Sequence, residues 1–454
     1  MRQRHAVVLG GSMAGLLTAR VLTGHFERVT IVERDELAGG WAGDPGADPR
    51  EREVRRGVPQ GRHAHGLLAA GLHVIEELFP GAAEELVAAG VPAGDVLGNV
   101  RFCVNGYRLK QVPSGMAALS FSRPYLEAYV RAKVFALPGV TVRGGHDIVG
   151  VVVDAARARV TGARVQARDG APETLAADLV VDATGRGSRA PRWLAELGFA
   201  PPQEERLHVD LAYVSRHYEV DPALLEGDIA MIIGPSAAAP RGGAVMLQEG
   251  GRAVVTLFGI LGDHAPLDDA GYRAYAKRLP LPYVSDIIEA STPLDDAVKL
   301  RYPASTRLRY DRLRRFPKGF VVVGDAMCSF NPMYGQGMSV AGVEALRLGD
   351  LLCEGGDFDA LRFFRAVRPV IDIPWQIATG GDAALPGVDG PRDARTRMVN
   401  RYLNRLYATA ARDEVVSLAF NRVTNLLDPP AALLRPAIAM RVLVRRGTKT
   451  VHEL

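Results

Sequence analysis

The hydrophobic pattern opens on an apolar run at His5–Leu9, too short and too continuous for a helix and right for a strand buried on both faces. It stops at Gly10-Gly11-Ser12-Met13-Ala14-Gly15, after which Leu16, Leu17 and Val21 take helical spacing up to Gly24. A second β-branched run, Val29–Val32, ends on Glu33. The order is strand, glycine turn, helix, strand, acid: one βαβ unit. Residues 39–65 are rich in Gly, Pro and charge and read as a long loop. Helical spacing follows at 67–89 and again at Arg123–Leu137. Between them Arg101–Val112 reads as a hairpin turning at Asn105-Gly106. Strand patterns occupy 140–143, 149–154, 160–167 and Leu175–Asp182. The middle of the chain is read as strand-rich, through Leu207–Val220, the pair flanking Gly250-Gly251, and Val298–Arg309. Phe320–Val323 is one more buried strand, and from Met338 onward the pattern is helical, broken at Pro386–Pro391 and Pro429-Pro430.

The first glycine turn carries chemistry. Gly10 supplies a residue without a side chain for a tight turn, and Gly15 allows the helix to pack closely on the strand. The helix start then offers unpaired N–H groups and a positive dipole end to a pyrophosphate. Glu33, 18 residues after Gly15, stands where a carboxylate accepts ribose hydroxyls. Ser12 occupies the place of the usual middle glycine. A second segment, Phe320 to Ala341, has a strand delivering Gly324-Asp325, then a loop with Pro332, Gly335 and Gly337 opening a long helix. Asp325 suits a ribityl or ribose hydroxyl, and the N–H groups of Gly335–Met338 suit a negatively charged ring edge.

Composition changes the picture little. At 454 residues, with 48% hydrophobic and 23% charged, the chain suits a soluble globular protein of two or three units. The net charge of +4 is carried by Arg435, Arg441, Arg445, Arg446 and Lys449 against Glu453, so no basic face for nucleic acid is expected. Cys103, Cys328 and Cys353 form no Cys-x-x-Cys pair, which fits a reducing, cytoplasmic setting. With no run of 18 apolar residues, neither an integral membrane protein nor a signal peptide is expected.

The paired distant motifs resemble the flavoprotein monooxygenases of the para-hydroxybenzoate hydroxylase type, over roughly residues 5–355. The resemblance implies an α/β fold: a Rossmann-like FAD-binding domain of the GR2 type, an inserted mixed β-sheet substrate domain and a helical C-terminal region. The expected division is 1–100, 120–200 and 300–355 for the FAD-binding domain, 101–119 and 201–299 for the substrate domain, and 356–454 for the helical region. It implies one bound FAD held by Gly10, Gly11, Ser12, Met13, Ala14, Gly15, Glu33, Arg34, Gln60, Arg62, Arg123, Gly324, Asp325, Pro332, Gly335, Gln336, Gly337 and Met338.

Three pieces are similar to actinobacterial polyether epoxidases and their polyketide-tailoring relatives: Arg56-Gly-Val-Pro-Gln60-Gly-Arg62-His63-Ala-His65, Val181-Asp182-Ala-Thr-Gly185-Arg186-Gly-Ser188, and Trp375-Gln-Ile-Ala-Thr-Gly-Gly-Asp382. This implies a large lipophilic polyketide-like substrate of secondary metabolism, oxygenated through a flavin C4a-hydroperoxide. Related flavoproteins of spirotetronate or spirotetramate pathways imply the alternative, a redox-neutral [4+2] cyclase using FAD as scaffold.

Departures from the family pattern matter. Asp182 is followed by Ala-Thr-Gly where simple hydroxylases have Asp-Gly, so the electron source is either NADPH or a separate flavin reductase. Flavin halogenases need a lysine near their channel and a Trp-x-Trp segment; here the first lysine is Lys110 and Trp41, Trp193 and Trp375 are isolated. No catalytic acid or base is assigned, and no metal site is expected. His63 and His65 are read as loop anchors or pocket lining, and Asp372, Asp382 and Arg186 as salt-bridge partners. The apolar stretch within Ala431–Arg446 is expected to dock on its own protein rather than on a membrane.

Overall fold

The computed structural model describes residues 4–37, 55–355, 357–390 and 393–444; Trp41 and the basic residues Arg445, Arg446 and Lys449 lie outside them. The β-branched runs form one parallel sheet in the spatial order Phe320–Val322, Leu179–Asp182, His5–Leu9, Arg28–Val32 and Val140–Arg143. Strands His5–Leu9, Leu179–Asp182 and Phe320–Val322 show no alternation because helices or a second sheet cover both faces, so their residues are buried throughout. Helix Met13–Leu22 lies beside the long helix Gly337–Cys353. Their contact is close because Gly349 stands where a Cβ would come within 2.7 Å of Val21 Cγ1. A three-stranded antiparallel sheet (His146–Val153, Val160–Ala167, Glu173–Ala176) shares this core through Val160, Ala163 and Val165. The pattern read as one strand over Leu175–Asp182 is two: the chain leaves this small sheet at Ala176 and enters the parallel sheet at Leu179.

The carboxyl ends of four parallel strands carry Gly10, Glu33, Asp182 and Asp325 to one edge. Ligands of open parallel sheets bind outside that edge. Facing it is a larger mixed sheet whose long strands are Glu204–Glu219, Arg252–Gly259, Arg241–Gln248 and Val298–Leu308. Strands Ala230–Ile233 and Val100–Val104 continue it as a parallel pair, ending in the hairpin to Tyr107–Arg108. That hairpin turns as expected, with Asn105 at φ 46° and Gly106 at φ 80°. The sheet runs past residue 299 to Leu308. Two short helices, Asp269–Ala276 and Tyr283–Ala290, back it with Tyr272, Tyr275, Val284, Ile287 and Ile288; the strand-rich reading of the middle region missed both.

The C-terminal region is helical: Ala360–Ala383, Ala394–Ala410, Glu414–Thr424 and Pro436–Val444. Ile438 and Val442 bury against Leu406, Val416, Phe420 and the hairpin residue Leu109, while Met440, Leu443 and Val444 stay exposed. The last helix therefore docks on its own protein by one stripe. Among the described residues, no helix is long and apolar enough to cross a membrane.

Candidate functional site

A cavity of about 820 Å³ runs along the carboxyl edge of the parallel sheet and ends on the large sheet. The glycine turn lines its middle. Gly10 sits at φ 105°, and a Cβ there would lie 2.5 Å from the Ala183 carbonyl oxygen. A Cβ on Gly15 would lie 1.8 Å from the Gly10 carbonyl oxygen, so the helix approaches the strand as only glycine permits. Ser12 does not cap the helix that follows. Its hydroxyl donates to Glu127 Oε2 at 2.8 Å and accepts from Arg123 at 2.8 Å, so Ser12 leaves the first helical turn uncapped.

Behind the turn lies a buried network of charges. Glu33 accepts from the Gly11 N–H at 2.8 Å and pairs with Arg55 at 2.7 Å. Arg55 also donates to the Gly11 carbonyl at 3.0 Å and to Glu127. Burial alone would raise the Glu127 carboxyl; Arg123 and Arg55 outweigh it and hold the group below the usual carboxylate range. Neither Arg55 nor Glu127 was singled out in the sequence, where nothing links positions 72 residues apart.

At the far end of the edge, Asp325 faces the cavity. The surrounding protein mass raises its pKa, while Arg186 and Arg123 pull it back. Asp325 shares its wall with the loop Asn331–Met338, where Gly335 takes φ 65° and the long helix begins at Gly337 without a side-chain cap. Asp182, one strand over, is turned away: it accepts from Thr184 Oγ1 at 2.5 Å and Ser188 Oγ at 2.7 Å, holding the loop that puts Thr184, Gly185, Arg186 and Gly187 on the cavity wall.

The large sheet closes the cavity with Tyr213, Leu300 and Tyr302, backed by Leu211, Phe258, Leu385 and Val388. The loop Pro59–Gly66 bridges the two sheets. His63 Nδ1 lies 2.7 Å from Ser215 Oγ, which lies 2.6 Å from Thr256 Oγ1, so His63 anchors this loop to the large sheet. Burial, reinforced by His65, His217 and Arg62, lowers its pKa to about 3. His65 is held by its Nδ1 at 2.9 Å from the His63 carbonyl, so the Nδ1 carries the proton and donates, and the ring also lines the cavity.

Fourteen of the eighteen expected cofactor residues line this one cavity: Gly10, Ser12, Met13, Ala14, Glu33, Arg34, Gln60, Arg123, Asp325, Pro332, Gly335, Gln336, Gly337 and Met338. Gly11, Gly15 and Gly324 stand one layer behind, where they shape the turns. Arg62 is not brought to the wall; it reaches Asp295 at 3.5 Å. Arg186 is not a salt-bridge partner either. Among the described residues it forms no ion pair, and its guanidinium lies 5.4 Å from the Tyr302 ring, on the cavity wall. Asp382 likewise meets no cation among the described residues, whereas Asp372 pairs with Arg307 at 2.6 Å as expected. Two orphaned buried atoms, Arg123 Nε and Gln336 Oε1, belong to residues of the wall. An elongated cavity with a glycine turn at its middle, acids near both ends and unpartnered polar atoms fits a dinucleotide carrying hydroxyls and phosphates.

Residues 3–355 match a family model described as FAD binding domain. The chain belongs to that family, the para-hydroxybenzoate hydroxylase type of FAD-dependent monooxygenases. It is thus an FAD-dependent oxidoreductase. It is 32% identical over 471 aligned residues to Protein Rv3254 of Mycobacterium tuberculosis, across 96% of this chain and 93% of that protein. Its fold is similar to that of PqsL, a probable FAD-dependent monooxygenase from Pseudomonas aeruginosa, with TM-score 0.64 and 20% identity over 85% of this chain and 97% of the other. The flavin-dependent brominase Bmp2 shares the fold at TM-score 0.66 and 17% identity, over 97% and 98% of the two chains.

Proposed function

We propose that this flavoprotein inserts one oxygen atom from O₂ into a large lipophilic, polyketide-like intermediate, as an epoxidase or hydroxylase of secondary metabolism. The observation that carries the reading is a single cavity in which the helix-start loop Gly335–Met338 meets the apolar wall of Tyr213, Leu300 and Tyr302. FAD, once bound and reduced, supplies the oxygen chemistry. The protein's share is binding, orientation and exclusion of water. Asp325 accepts from a hydroxyl of the cofactor chain. The uncapped helix start at Gly337 favours negative charge at a ring edge. Tyr213, Leu300 and Tyr302 keep water from the reacting atoms and suit a lipophilic substrate. Electrons come from NADPH or from a separate flavin reductase. Asp182 is fully buried, held by three hydrogen bonds from its own loop and absent from the cavity wall, which favours the reductase because the carboxylate does not face the space NADPH would enter.

Product mass under ¹⁸O₂ tests the reaction. Turnover requires a reductant and O₂, and the product carries one labelled oxygen. An unlabelled product isomeric with the substrate, formed anaerobically, would replace this reading with the redox-neutral cyclase.

Asp325→Ala tests the site. Losing a charge-assisted hydrogen bond to a cofactor hydroxyl costs about 1.5–3 kcal/mol, so FAD binds roughly ten- to a hundredfold more weakly in a fluorescence-quenching titration. An unchanged affinity would assign the hydroxyl contact to another residue.

A further inference from the structure

We propose that Asp382 is the positioning residue of the flavin loop: a buried carboxylate from outside the matched family domain that sets the backbone of Asn331–Met338. This rests on the reading of that loop as the cofactor's ring-edge site. Asp382 lies in the last turn of helix Ala360–Ala383 and is 1% exposed. Both of its oxygens accept from the Asn331 amide, at 2.9 and 3.0 Å, and one also accepts from the Tyr334 hydroxyl at 3.1 Å.

These bonds fix which way the Asn331 amide points. With its Nδ2 committed to Asp382, its Oδ1 accepts from the Met333 N–H at 3.0 Å. That bond starts the short turn Pro332–Tyr334, which ends at Gly335 in the left-handed region and releases the chain into the helix at Gly337. The approach is made possible by Gly381, where a Cβ would lie 2.2 Å from the Tyr334 hydroxyl.

The groups facing Asp382 are few. Asn331 and Tyr334 come from the loop and Tyr213 from the large sheet, with Tyr407 facing Tyr334 from helix Ala394–Ala410. Burial holds the tyrosine hydroxyls neutral well past pH 10, so over the acid range the carboxylate titrates alone among them. Burial raises Asp382 to about 6, against the hydrogen bonds from Asn331 and Tyr334. A proton on Oδ2 displaces one of the two Asn331 contacts, and loss of the charge weakens the bonds from Asn331 and Tyr334 to Oδ1, so the anchor of the loop loosens. FAD affinity is therefore constant above about pH 7 and falls as pH drops through about 6. Apo-protein stability moves the other way. A raised folded pKa makes the charged form costly, so this group's contribution grows as pH falls from about 6 toward the ordinary carboxylate value.

FAD titrations of the full chain between about pH 8 and about pH 5 test the proposal, in the wild type, Asp382→Asn and Tyr334→Phe. Asp382→Asn should bind FAD roughly ten- to a hundredfold more weakly near neutral pH, with no inflection near 6. Tyr334→Phe removes a donor that favours the charged form, so its inflection moves to higher pH. If Asp382→Asn does not fold, judged by circular dichroism, the Tyr334→Phe shift decides. Wild-type affinity and pH profile in Asp382→Asn, or an unmoved inflection in Tyr334→Phe, overturns the proposal while leaving the flavin site intact. A wild-type chain that takes up no FAD overturns the site reading, and this proposal with it.

Discussion

A Gly15→Ala chain takes up no FAD and melts well below the wild type. Alanine is the better helix former by about 1 kcal/mol, so local propensity alone would favour the change. Sterics decide otherwise. The new Cβ would sit 1.8 Å from the Gly10 carbonyl oxygen and 3.4 Å from Val8 Cγ1. The first of these is backbone at a turn already held at φ 105° and pressed against Ala183, so it has nowhere to move. The helix must shift off the strand instead, at a cost of at least ~1–3 kcal/mol for overpacking a core. That shift carries the first helical turn out of the cavity wall. Gly380→Ala is the control: it lies in a helix with nothing within 4 Å of its Cβ position, and stability should rise by up to ~1 kcal/mol. Thermal melts and flavin absorbance after reconstitution read both variants. A Gly15→Ala protein that melts and binds like the wild type would show that close packing does not set the turn.

The glycine turn was legible because its parts are neighbours in sequence. Strand, Gly10, Gly15, helix and Glu33 fall within one βαβ unit, and each residue type answers a local demand of backbone or ligand. The second segment was legible for the same reason: Gly324-Asp325 and Gly335–Met338 are separated by one short loop. The three-dimensional surroundings were not. Asp382 was expected to meet a cation and instead meets Asn331 and Tyr334, about 50 residues upstream on a different element. Arg186 was expected to pair with an acid, but the loop tied down by Asp182 turns it toward Tyr302. Tyr213 and Tyr302 sit within long strands like any buried residue, and only the apposition of the two sheets makes them cavity wall. The helices Asp269–Ala276 and Tyr283–Ala290 did leave a signal, in the helical spacing of Tyr272, Tyr275 and Ala276 and of Val284, Ile287 and Ile288. Strand patterns on both sides masked it.

Arg55→Met should be the most damaging single change that leaves the glycine turn's own sequence untouched. Arg55 is buried and reaches Glu33 at 2.7 Å, Asp35 at 3.3 Å, Glu127 and the Gly11 carbonyl, so one guanidinium serves three carboxylates and the turn itself. Methionine fills much of the space and supplies none of the charge. Removing one partner of a buried ion pair costs about 3–5 kcal/mol, because the other is left uncompensated. Glu127 retains Arg123 at 2.9 Å, whereas among the described residues Glu33 and Asp35 pair with Arg55 alone, so the loss falls hardest on Glu33. Lysine should rescue poorly, since a point charge cannot span the positions that the planar fork reaches. The pH dependence identifies the mechanism. In the wild type, Glu127 is held below its ordinary value, so its contribution is present at neutral pH and is lost as pH falls through its folded pKa. Without Arg55, Glu127 loses one of the two cations that offset its burial and protonates more readily, which relieves part of the charge imbalance. Denaturant melts should therefore show a wide gap between variant and wild type near pH 7 that narrows toward about pH 5, with flavin content tracking the gap. A gap of constant width would mean that Arg55 matters for its volume and not for its charge.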